Sequence, residues 1–193
     1  MRKLIAFDSV SLDGYFTDAS GDMSWAHKHD AEWNAFVKGN ASGGGTLLFG
    51  RKTYELMASY WPTPMAMKND PVVAGGMNKL PKVVFSRTLD KAAWSNTTLV
   101  KDDLLAVVRK MKSEPEGPED GPGDGLVILG SGSIVSQLAE ARLIDVFQIA
   151  LNPVVLGRGR TLFEGVKNKW NLKLTNSRAF QNGNVFLCYE PAM

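Results

Sequence analysis

"TLLFGRKTYE", residues 46–55, is a run of strand-forming apolar residues that stops at Gly50 and resumes as a polar segment headed by Arg51, Lys52 and Thr53. The pattern predicts a strand over 46–50 and a short helix over 51–61. The first turn of a helix leaves backbone N–H groups without partners, and its dipole favours an anion there. Glycine at the junction lets the main chain come close to a ligand. The same pattern returns at "LVILGSGSIV", residues 126–135, where a strand over 126–130 leads into a helix over 133–143. If the two strands lie parallel and close together, both helix starts open on one crevice at the strands' C-terminal ends. Open α/β sheets hold their ligands there.

A third strand, "KVVFS" at 82–86, ends in Ser86, Arg87 and Thr88. The planar fork of an arginine suits a phosphate because it can donate two parallel hydrogen bonds. Three such ends fit a dinucleotide carrying an extra phosphate, with Arg51, Lys52 and Arg87 sharing its charge. Each junction alone also has a plain reading, since glycine after a strand is common punctuation. "GSGSIV" is not a Rossmann fingerprint. Val135 stands where the third glycine belongs, and no acidic residue follows in the pattern about 20 positions on.

Outward from these junctions, "KLIAFDSV" (3–10) reads as a buried first strand and 11–25 as a loop rich in Gly, Asp and Ser. A helix is predicted over 29–38, where Trp33, Phe36 and Val37 recur at helical spacing, followed by a glycine-rich hinge. Prolines and glycines make 61–81 a long loop. "TTLV" (97–100) is a strand. "DDLLAVVRKMK" (102–112) is a helix with acids at its start and cations at its end, which suits the dipole. Residues 113–125 are acidic and rich in Pro and Gly, the composition of a mobile surface loop. A strand over 145–155 precedes a turn at "GRGRTLF", and "WNLKLTNSRAF" and "NVFLCYEP" form a closing antiparallel hairpin around "QNGN". Strands alternating with helices imply an α/β fold with a mostly parallel sheet.

The 193 residues suit one domain, 1–193, large enough to bury a core without disulfides or metals. A formal net charge of +2 gives no general affinity for nucleic acid or membranes, so any anion site must come from local placement of cations. Cys188 is the single cysteine, which fits a reducing cytoplasm. No apolar run approaches the roughly 20 residues of a membrane span.

Taken in order, "FGRKTYE", "VVFSRT" and "VILGSGS" resemble the dihydrofolate reductase superfamily. "SLDGY…SGDMSW" and "LNPVVLGRGRTLF" look like the reductase domain of the riboflavin-biosynthesis deaminase/reductase. The resemblance implies a sheet of about eight strands, mostly parallel with an antiparallel C-terminal edge, helices on both faces, NADPH as cofactor, and a homodimer paired through the late strands. It implies that Gly50, Arg51, Lys52 and Thr53 lie at the cofactor phosphates and that Ser86 and Arg87 hold the adenosine 2′-phosphate. Gly130, Ser131, Gly132, Ser133 and Ile134 would cover the pyrophosphate. Leu12, Asp13, Gly14 and Tyr15 would form a loop over the nicotinamide. Leu80 stands near the place where dihydrofolate reductases carry the arginine that grips the folate carboxylate.

Hydride delivery to a C=N or C=O bond is helped by a proton donor, and a carboxyl group in an apolar cleft can serve. Glu32 and Asp30 are both candidates on the predicted helix, and Asp13 is a third. Each also has an ordinary role: a first-turn acid complements the helix dipole, and Asp-Gly is good turn chemistry. Trp25, Tyr60 and Trp61 could wall a flat heterocycle. His27 and His29 stand beside Asp30 without further convergent ligands, so no metal is expected. The expected activity is hydride transfer to a small heterocyclic or imine-like substrate, of pterin or riboflavin-precursor type. The alternative is a protein that keeps the fold and binds a nucleotide or flavin without turnover.

Overall fold

In a computed structural model of the chain, residues 1–27, 30–41, 44–114 and 125–192 are described. Strands and helices alternate through β1 (Leu4–Ser11), β2 (Tyr15–Asp18), α1 (Ala31–Ala41), β3 (Thr46–Gly50), α2 (Arg51–Tyr60), α3 (Pro64–Asn69), α4 (Pro71–Lys79) and β4 (Lys82–Phe85). They continue through β5 (Thr97–Val100), α5 (Leu104–Ser113), β6 (Leu126–Leu129), α6 (Gly132–Glu140), β7 (Val146–Asn152), β8 (Gly159–Thr161), β9 (Leu172–Ala179) and β10 (Val185–Pro191).

Eight strands form one sheet in the order β5-β4-β3-β6-β1-β7-β10-β9. The six from β5 to β7 are mutually parallel. β10 runs antiparallel to both β7 and β9, which makes the expected antiparallel edge. Alternation along the inner strands sorts side chains to two faces. Leu48, Leu126, Ile128, Leu4 and Ala6 meet Val108 of α5 and Ile134, Val135 and Leu138 of α6 on one face. Leu47, Phe49 and Val84 meet Tyr54 of α2 and Val73 and Met77 of α4 on the other. Further along that second face, Trp33 of α1 packs with Ala150, Phe180 and Phe186. Helices therefore cover both faces, and the C-terminal ends of the inner strands share one edge.

Two stretches differ from the sequence reading. Residues 61–81, expected as a loop, hold α3 and α4. Their prolines start helices instead of breaking them. Thr63 and Asp70 each precede a proline and accept a hydrogen bond from the backbone N–H of Ala66 (3.2 Å) and Val73 (3.4 Å). A capping side chain followed by Pro at the first helical position is a favoured helix start. The buried Lys82 then closes α4, with its Nζ donating to the carbonyls of Met77 (2.8 Å) and Leu80 (2.6 Å).

The second difference is a small ribbon. The loops over 11–25 and around "GRGRTLF" contain β2 and β8, which pair antiparallel outside the main sheet. Gly159 makes the pairing possible, because a Cβ there would overlap the backbone carbonyl of Thr17. Of the expected mobile segment 113–125, residues 115–124 lie outside the described residues.

Candidate functional site

The two look-alike junctions are next to each other. β3 and β6 pair with Leu48 opposite Ile128, and β4 flanks β3 with Phe85 opposite Gly50. Between β6 and α6 the chain turns through two successive left-handed residues, Gly130 (φ 56°) and Ser131 (φ 63°). The buried Ser131 hydroxyl ties the junctions together: Oγ accepts from the N–H of Gly50 at 3.0 Å and donates to the Leu129 carbonyl at 3.3 Å. A Cβ on Gly130 would press on Thr53 Cγ2 at 3.4 Å, so the backbone of one junction rests on the side chain of the other.

A cleft of about 930 Å³ opens above these ends. Gly50, Arg51, Lys52 and Thr53 line it, as do Ser86, Arg87, Ser131, Gly132, Ser133 and Ile134. The structure thus brings together on one surface every residue that the sequence suggested for the phosphates, except Gly130, which supports the wall from behind. Not all of the cations are equally free. Glu55 engages Arg51 through both carboxylate oxygens at 3.1 Å, one turn along α2. Ser86 Oγ accepts from the N–H groups of Thr88 (3.2 Å) and Leu89 (3.0 Å), so it also shapes the turn after β4.

Several lining residues were not foreseen. Phe16 to Gly21 form one wall, Val100 to Leu105 another, and Lys101 and Arg160 add two cations. Lys101 directly follows a strand end, a signal that was open to reading. Arg160 sits in what looked like a turn. Within the Phe16 to Gly21 wall, the Asp18 carboxylate accepts from Ser20 Oγ and the Asp22 N–H, and those bonds hold it below the usual carboxylate range.

The "SLDG" loop does other work. Asp13 accepts from Ser11 Oγ (2.6 Å) and from the N–H groups of Gly157 (2.7 Å) and Leu156 (3.1 Å). The Ser11 hydroxyl, more than the two amides, holds its carboxyl below the ordinary range. Gly14 turns with φ 85°, and the N–H of Leu12 donates to Val154. Leu12 and Asp13 therefore fasten the β1–β2 turn to 154–157, Gly14 and Tyr15 bond back to Ser11, and the cleft wall begins one residue later, at Phe16.

The remaining candidates scatter. Trp25 donates from Nε1 to the Asp22 carbonyl at 3.1 Å. Tyr60 and Trp61 pack edge to face at 5.1 Å at the far end of α2, and Trp61 leans on the core beneath α2 and α4. None of the three lines the cleft. Glu32 is tied to Arg178 of β9 at 2.7 Å. Asp30 caps α1, with Oδ1 accepting from the Glu32 N–H at 3.1 Å, and its Oδ2 is buried without a hydrogen-bond partner. Because α1 returns the chain to the start of β3, its first turn lies at the same sheet edge as the cleft. His29 lies outside the described residues.

One acid escaped the sequence reading. Asp8, in the middle of β1, is 2% exposed, and neither carboxylate oxygen has a hydrogen-bond partner. Burial pushes its carboxyl well above the ordinary range.

The strand order and the antiparallel C-terminal edge define a dihydrofolate reductase-like fold. The chain belongs to the RibD C-terminal domain family, whose model matches residues 2–186. It is 31% identical over 194 residues to "Uncharacterized protein YyaP" of Bacillus subtilis (strain 168), covering 98% of this chain and 95% of that one. It is similar in structure to a diaminohydroxyphosphoribosylaminopyrimidine deaminase/5-amino-6-(5-phosphoribosylamino)uracil reductase from Thermotoga maritima, with a TM-score of 0.68 at 14% identity. That match covers 99% of this chain and 57% of the other. A dihydrofolate reductase from Enterococcus faecalis, complexed with NADP(H), matches with a TM-score of 0.60 at 17% identity, over 99% and 97% of the two chains. Among the described residues, no helix is long and apolar enough to cross a membrane.

Proposed function

We propose that the chain is an NADPH-dependent reductase that passes a hydride to a small heterocyclic or imine-like substrate of pterin or riboflavin-precursor type. The observation that carries this reading is the convergence of three strand ends on one cleft, with the Ser131 hydroxyl bridging two of them. The residues present fit a phosphorylated dinucleotide. The first turns of α2 and α6 open on the cleft, with Gly50 and Gly132 among its lining residues. Among the described residues Lys52 and Arg87 form no ion pair, so their charge is left for a ligand. Arg87 and Ser86 would hold the 2′-phosphate, Arg51 to Thr53 the neighbouring phosphates, and Ser131 to Ile134 the pyrophosphate. When bound, NADPH supplies the hydride. The chain's part is to orient the reactants, exclude water and hold a proton.

For the proton we choose Asp30. Glu32 is committed to Arg178 and Asp13 to the 154–157 loop, whereas Asp30 keeps one oxygen without a partner. The buried Leu80 offers a folate carboxylate no counter-charge, which favours a substrate other than folate. The homodimer implied by the family would form through β9, an edge strand whose eight residues are all exposed, Leu172 and Leu174 included. A cytoplasmic setting goes with a chain whose single cysteine leaves no internal disulfide to form.

A second reading, nucleotide or flavin binding without turnover, draws on the scatter of Trp25, Tyr60 and Trp61 away from the cleft. Mixing the protein with NADPH and a panel of pterins, pyrimidines and cyclic imines separates the two. The reductase reading expects at least one member to consume NADPH. Binding of NADPH with no member consumed would establish the second reading in its place.

A further inference from the structure

The cleft has a cation on its ribbon side that the strand-end pattern leaves out. Arg160 lies on β8, outside the main sheet, and its side chain lines the cleft. Two glycines put it there. Gly159 lets β8 lie against the Thr17 carbonyl, and Gly132 leaves room for the Phe16 ring, which a Cβ at 132 would overlap. Phe16 is buried against the start of α6, and the Arg160 guanidinium sits over its ring with 5.6 Å from Cζ to the centroid. An aromatic face holds a cation in place without neutralising it. The one ion pair of Arg160 among the described residues is loose: Nε to Glu164 at 3.8 Å, with both side chains about half exposed or more (49% and 67%). Arg51, by contrast, is held by both oxygens of Glu55.

Strand order separates Arg160 from the guanidinium of Arg87. Phe16 and Arg160 sit at the start of α6, which follows β6, whereas Arg87 follows β4, with β3 between those two strands. Two strand spacings amount to roughly 10 Å. The two arginines therefore address different parts of an extended ligand.

We infer that Arg160 is a pyrophosphate-binding residue: its guanidinium clamps the ligand's pyrophosphate from the ribbon side, against the backbone of Gly132 and Ser133. The inference rests on the dinucleotide reading of the cleft and deepens it. It gives the β2–β8 ribbon a role, as the arm that carries a charge the parallel sheet cannot place there itself. It also explains why Phe16 and not a polar residue leads that wall, since the ring is the surface on which the guanidinium rests.

Titration of the full chain with NADPH, in wild-type, Arg160→Gln and Arg160→Lys forms, tests this, with adenosine 2′-monophosphate as the probe that lacks a pyrophosphate. Loss of a charge-assisted hydrogen bond should weaken NADPH about tenfold or more in Arg160→Gln. Arg160→Lys should recover part of that, and adenosine 2′-monophosphate should compete equally well against all three proteins. Melting temperatures of the ligand-free proteins should coincide, because Arg160 is exposed. An NADPH affinity within twofold of wild type in Arg160→Gln overturns the clamp and leaves the reading of the cleft standing. An equal loss for adenosine 2′-monophosphate also overturns it. Failure of the wild-type protein to bind NADPH overturns the reading of the cleft itself.

Discussion

At the cleft end of the sheet edge, three strand ends meet and share bonds; at the other end, around the first turn of α1, the candidate groups point in different directions. The contrast follows from what each end is made of. The cleft end is built from main chain: Gly50 beside Ile134, Gly130 against Thr53, and Gly132 under Phe16. Its geometry is fixed once β4, β3 and β6 pair in parallel. The α1 end is built from side chains on loops and helix starts. There Glu32 turns to Arg178, Trp25 to Asp22, and only Asp30 keeps an unpartnered oxygen. Backbone sites come with the fold, whereas side-chain sites depend on how each loop settles.

The sharpest way to break this contrast is at Asp30. If it supplies the proton, Asp30→Asn should lower kcat by about a hundredfold or more, within the span general acids contribute. Glu32→Gln should cost far less, since its carboxylate already serves Arg178. Steady-state rates with whichever substrate consumes NADPH decide between them, and the reverse order would move the acid to Glu32.

Next in size is Gly132→Val, which forces a branched side chain into the Phe16 ring. Overpacking of this kind costs about 1–3 kcal/mol. Urea melts should show that loss, and NADPH binding should fall with it because the ribbon is displaced. Gly75 of α4 has nothing within 4 Å of an added Cβ, so Gly75→Ala is the matched control and should melt no earlier than wild type.

Asp8 gives the smallest effect and sharpens the comparison from within the core. Its folded-state carboxyl titrates well above 3.8, the ordinary value that the unfolded chain keeps. The unfolded chain therefore releases its proton first as pH rises. The stability contributed by the protonated group is fully present below about pH 4 and is lost as pH climbs through the folded-state value. Asp8→Asn should remove that downward slope in urea melts between acid and neutral pH. A wild-type slope that survives in Asp8→Asn would place its origin elsewhere.

Much of this architecture can be read from the residues. "TLLFG", "KVVFS" and "LVILG" are short apolar runs with hard stops, and their ends fall where the cleft lies. The misreadings have physical causes. Prolines 64 and 71 look like breakers until Thr63 and Asp70 are recognised as caps. β2 and β8, of four and three residues, are too short to show alternation, so the ribbon and Arg160 stayed hidden. Asp8 sits in an apolar run that reads as a buried strand, and nothing in its spacing marks it as a site residue. Trp25, Tyr60 and Trp61 are the residue types a stacking site needs, but residue type does not say which way a ring turns. Asp13 belongs to a turn whose partners, Leu156 and Gly157, lie 143 and 144 residues away in sequence.

The claim under all of this is that the ends of β4, β3 and β6 form one site for a dinucleotide with a third phosphate. Thermal unfolding of the wild-type protein with NADPH or NADH tests it most directly. At a hundred times its dissociation constant NADPH should add about 2.7 kcal/mol of stability, and NADH at the same concentration should add clearly less, because it offers Arg87 nothing to hold. No shift with millimolar NADPH, or a larger one with NADH, would contradict the account.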